Sequence, residues 1–136
     1  MGKHELALQH AMKALILIQD ELVSKYPSDD MQEQRMPEDR LIVLCIAYHN
    51  IAVEQEFLKQ YQASLNSYAK AAQSAAKYLG EAHPMTQNMN EVLTQATKKI
   101  AGIIQKTMSK TADKMMKKGG MPMSELETLI KESEMD

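Results

Sequence analysis

Tryptophan is absent from this 136-residue chain, cysteine occurs once, and glycine and proline together number nine. With so few chain breakers, and with Ala, Leu, Met, Gln, Glu and Lys dominating, composition favours an all-α fold. The single thiol, Cys45, forms no internal disulfide, and its place in an apolar run favours a reducing, cytoplasmic setting. Long apolar runs are missing too. The longest, Leu41 to Tyr48, is far too short to cross a bilayer, and the amphipathic N-terminus lacks the apolar core of a signal peptide. A net charge of -2 gives no general reason to expect nucleic acid. His4, His10, His49 and His83 are not paired at i,i+4, and one cysteine makes no zinc site, so no metal is expected. No nucleophile, base and orienting group assemble from local motifs, and Gly119-Gly120 lacks the context of a phosphate loop. The expectation is a protein that is not an enzyme and carries no cofactor. Its length allows one domain, burying about two-thirds of its unfolded surface.

What is present is helical periodicity. His4 to Tyr26 carries Leu6, Ala11, Ala14, Leu15, Ile18 and Leu22 at helical spacing, and Pro27 with Ser28-Asp29-Asp30 ends it. Residues 27–38 are polar without periodicity and read as a loop. Pro37-Glu38-Asp39 then starts a second helix, about 38–58, apolar nearly all round from Leu41 to Val53 and so covered on several sides. A third, 61–79, is rich in alanine (Ala63, Ala71, Ala72, Ala75, Ala76), which lets a partner helix approach closely. Leu79-Gly80 closes it, with Gly80 expected in the left-handed cap position. A fourth helix, 84–117, opens at His83-Pro84 and keeps one stripe through Met85, Met89, Leu93, Ala96, Ile100, Ile103/Ile104, Met108 and Met115. The stripe holds phase across Gly102. The methionines of this helix, Met116 among them, read as gap-fillers. The resulting division is a helical domain over 1–118 and an acidic tail over 119–136, where Ser124-Glu125-Leu126-Glu127 is a capping box for a short helix to about Glu134.

From Tyr48 to Pro84 the small and large residues are ordered as in a helix-turn-helix repeat: Tyr48-x2-Ile51-Ala52-x2-Gln55, then Tyr61, then Ser64-x3-Tyr68-x2-Ala71. Leu79-Gly80-Glu81-Ala82-His83-Pro84 follows. The order resembles the tetratricopeptide repeat, and the last six residues look like the L-G-x-x-H-P link of the elongated repeats in kinesin light chains. Gly2-Lys3-His4 with Ala7-x3-Ala11-x2-Ala14 is similar to the second helix of a preceding repeat, and Asn90-x2-Leu93-Thr94 to the first helix of a following one. The likeness covers about residues 2–100. It implies a right-handed stack of antiparallel helix hairpins, with a long C-terminal helix as cap. It also implies a chain that begins in mid-hairpin, so that either it is an excerpt or a second copy supplies the missing neighbour.

The resemblance further implies a protein-binding scaffold or adaptor that holds a peptide or partner protein in the concave groove. Carried over, the groove residues are His49, Asn50, Val53 and Glu56, with Asn88, Glu91 and Gln95 from the next helix. Asn50 would hydrogen-bond a bound peptide's backbone, the alternative being an Asn that bridges two helices of the array. With His49 and Ile46 as neighbours in place of Lys or Arg, a carboxylate-terminated peptide is not favoured. His49 adds a proton-dependent contact or is a solvated helix histidine. Cytoskeletal work follows by analogy alone.

Residues 98–118 hold seven Lys against one Asp, and 119–136 hold five acids against one Lys. A basic amphipathic helix of this kind binds calmodulin or an anionic membrane in a regulatory protein, or simply caps the array with its lysines in water. A third alternative is a non-catalytic subunit of an enzyme assembly. Self-association through apolar surface left open on helix 4–26 is expected.

Overall fold

The computed structural model describes residues 2–26, 36–117 and 131. They contain four α-helices and no strand: α1 Lys3–Lys25, α2 Glu38–Phe57, α3 Tyr61–Leu79 and α4 Pro84–Lys117. Each helix starts and stops within a residue of its expected bounds. The expected 27–38 loop falls largely outside the described residues, as does the short helix from Ser124 apart from helical Lys131. The chain divides into two compact units, Met1–Ala96 and Thr97–Asp136.

Local chemistry explains the boundaries of the first unit. Pro37 stands just before α2, and Glu38 and Asp39 lie in its first turn, where carboxylates meet the unpaired N–H groups. At its other end the Lys59 N–H bonds to the Glu56 carbonyl at 3.0 Å and the Gln60 N–H to the Gln55 carbonyl at 2.8 Å. This is a Schellman cap. Lys59 takes the left-handed position, at φ 61°. The chain thereby reverses in three residues, and α3 runs back along α2.

Gly80 ends α3 at φ 92° and ψ 159°. That corrects the expected left-handed cap: the backbone here is extended with positive φ, a region open essentially to glycine alone. The extended turn presents the Gly80 carbonyl to the Thr86 hydroxyl at 2.6 Å, which satisfies a fully buried threonine. His83 precedes α4, and its Nδ1 accepts from the Met85 N–H at 3.0 Å. A ring nitrogen that accepts carries no proton, so Nε2 holds it and donates to the Glu38 carboxylate, 2.6 Å away. One side chain thus caps α4 and fastens it to the start of α2.

Packing follows residue size. Where α2 meets α3, Ser64, Ala71 and Ala75 are wholly buried, and Ser64 Oγ donates to the Ala52 carbonyl at 2.7 Å. Such a bond to a neighbouring helix's backbone requires side chains this small. Cys45, Ala71, Ala72 and Ala75 form one core cluster with Met89 of α4, and Ala52, Tyr68 and Ala96 form another. On its other side α2 meets α1, where Ile18 and Leu22 pack with Leu44. The two helices are antiparallel. Arg40 Nε donates to Glu21 at 2.8 Å at one end, and His4 Nδ1 to Glu54 at 2.7 Å at the other.

In the second unit, α4 runs without a break through Gly102, beside which an added Cβ would meet nothing within 4 Å. Ile100 is buried, while Ile104 and Met116 are exposed. Lys99, Lys106, Lys110 and Lys117 recur at i, i+7, i+11 and i+18 and therefore share a row.

Candidate partner-binding face

On α2, residues 43, 46, 50, 53 and 57 recur at alternating spacings of three and four and so form one strip along the helix. Covered surfaces bound it. Glu54 meets His4 of α1 on one side, and on the other Val53, the strip's own partly buried edge, packs against the Ala52, Tyr68 and Ala96 cluster. Between them Val43, Ile46 and Phe57 stay 40%, 41% and 62% exposed, with Asn50 exposed in their midst. The apolar character of this helix therefore does not mean cover on every side.

Phe57 is held in place. The His4 ring stacks on it with centroids 4.3 Å apart and planes 8° from parallel, while Nδ1 of the same ring bonds to Glu54. Among the described residues the Asn50 amide makes no hydrogen bond and bridges no pair of helices. Its donor and acceptor groups are open to a ligand.

Other expected groove residues are differently employed. His49 is half-buried, edge-on to the Tyr68 ring at 5.7 Å, with Nδ1 buried and unpartnered, and burial lowers its pKa. Glu56 accepts from the Tyr68 hydroxyl at 3.2 Å. Burial first and that carboxylate second push the Tyr68 phenol up to about 12. The structure therefore gathers His49 and Glu56 around Tyr68, on the flank of the strip. Asn88, Glu91 and Gln95 are exposed on one face of α4, where the Gln95 amide donates to Glu91 at 3.3 Å. No hydrogen bond joins them to Asn50.

Sequence reasoning missed Val43 and Phe57, and named Ile46 only as a neighbour of Asn50 that is not a cation. The signal was spacing from Asn50, seven residues to Val43 and to Phe57 and four to Ile46, masked because the same helix is also apolar on its buried faces.

Among the described residues no group of three or more His, Cys, Asp or Glu side chains is placed to hold a metal ion. No helix among them is long and apolar enough to cross a membrane. Comparisons with protein-family models, with curated proteins and with solved structures find no match.

Proposed function

We propose that this chain is a non-catalytic binding module of the tetratricopeptide type, akin to the repeats of kinesin light chains. On this reading α2 and α3 are one repeat, and α1 and α4 belong to its neighbours in a right-handed stack. Two features support it. Small buried residues draw α2 and α3 together, and Gly80, His83 and Pro84 each have a distinct backbone or capping role in the link that the family's motif would require. The bound segment lies along the outer strip of α2 in extended form. Val43, Ile46 and Phe57 take its apolar side chains and the Asn50 amide pairs with its backbone.

The single observation behind this assignment is an open amide between three exposed apolar side chains on an otherwise well-covered helix. No Lys or Arg stands on the strip, so a neutral segment fits better than a free carboxylate end. A cytoplasmic adaptor is the role in keeping with a reduced, buried Cys45.

Selection of peptides from a display library against the whole chain provides the test. Selected peptides should lose about tenfold in affinity on Asn50→Ala and more on Ile46→Asp, with the far-ultraviolet helix signal unchanged. Peptides that bind both variants as tightly as the parent, or a library that yields no binder, would remove α2 as the docking surface.

A further inference from the structure

We propose that the outer face of α1 is the seam of a two-fold dimer, with α1 packed antiparallel against α1 of a second copy. This inference concerns a different helix from the peptide-binding strip and stands without it.

The face turned away from Ile18 and Leu22 should be polar in a monomer. Instead Ile16 and Leu17 are 56% and 70% exposed at its middle, with Leu6 and Val23 exposed further out. Lys13 and Asp20 flank that centre, both exposed and neither ion-paired with a described residue. They cannot reach each other, being two turns apart, about 10 Å along the axis.

The order of these four residues identifies the occupant. Lys13, Ile16, Leu17 and Asp20 fall within one arc of the helix and are symmetrical about the midpoint between 16 and 17. Two antiparallel copies in that register bring the two Ile16-Leu17 pairs together, Ile16 beside Ile16 and Leu17 beside Leu17, and set each Lys13 against the other's Asp20. A two-fold axis requires a patch that complements itself. An apolar centre with opposite charges at equal distances on either side is such a patch. A partner with uniformly basic or acidic flanks would leave one of the two charges repelled.

The test measures the dimer dissociation constant of the full chain by sedimentation velocity, with charge reversals at exposed positions that leave the core intact. Lys13→Asp alone sets two acids face to face, and Asp20→Lys alone sets two lysines face to face. Each should weaken the dimer about tenfold or more. Mixing the two variants restores opposite charges at both ends, so a one-to-one heterodimer should form with about the affinity of the parent. Leu17→Asp should abolish association with either. A parent that stays monomeric at all concentrations overturns the proposal, as does a dimer indifferent to the reversals. Loss on each reversal without recovery on mixing overturns the antiparallel register.

Discussion

His49 stands edge-on to Tyr68 with one ring nitrogen sealed from water and no partner for it, an arrangement that has consequences for stability. An unmade hydrogen bond at a buried polar atom costs about 1–3 kcal/mol. Protonation adds the further cost of placing a charge there, which is why burial holds the imidazole below its ordinary value near 6.5. A base held low binds fewer protons folded than unfolded. Its contribution to stability is therefore complete above about pH 6.5 and is lost as pH falls through the folded value. Urea denaturation of the parent and of His49→Leu should separate the two effects. The variant should be more stable by about 1 kcal/mol near neutrality, and the gap should widen towards pH 5. His4 and His83 are common to both proteins, so the difference between the two profiles isolates His49. A gap that stays constant or narrows on acidification would refute the account.

At the scale of elements, the hairpin turn carries a strain that the helices themselves do not. Lys59 is the one non-glycine among the described residues with positive φ, and its Cβ opposes the left-handed conformation that the Schellman cap requires. Lys59→Gly should stabilise the protein by about 0.5–1 kcal/mol, the relief of that clash outweighing the freedom glycine gains when unfolded. A lower thermal midpoint would mean that the lysine stem contributes packing the turn needs. Element boundaries were legible in the sequence because capping is short-range: Pro37, Leu79-Gly80 and His83-Pro84 mark their termini within a few residues. The detailed conformation of Gly80 was not, since its extended backbone depends on Thr86, six residues on, requiring a buried acceptor.

Over the whole molecule the same limit decides how much of the candidate face was legible. Periodicity identifies apolar faces, but a helix with several of them does not disclose which one its neighbours leave open. Asn50 was therefore found, with Ile46 noted only as its neighbour, whereas Val43 and Phe57 became visible only once α1 and the Tyr68 cluster were seen to cover the rest of α2. The covered side can be probed through Cys45. Its thiol is 1% exposed among Ala71, Ala72 and Ala75 of α3 and Met89 of α4. Burial pushes its pKa up to about 11, so even at pH 8.5 the folded chain holds almost no thiolate. Reaction with a thiol reagent must then await an opening that lifts α3 and α4 from α2. If these three helices separate only together, labelling should be slower than in the urea-unfolded chain by on the order of a thousandfold or more. Sub-denaturing urea should accelerate it with the slope of global unfolding. Labelling within about tenfold of the unfolded rate, or labelling insensitive to urea, would mean that the helix stack opens locally at Cys45 and that its core is not one cooperative unit.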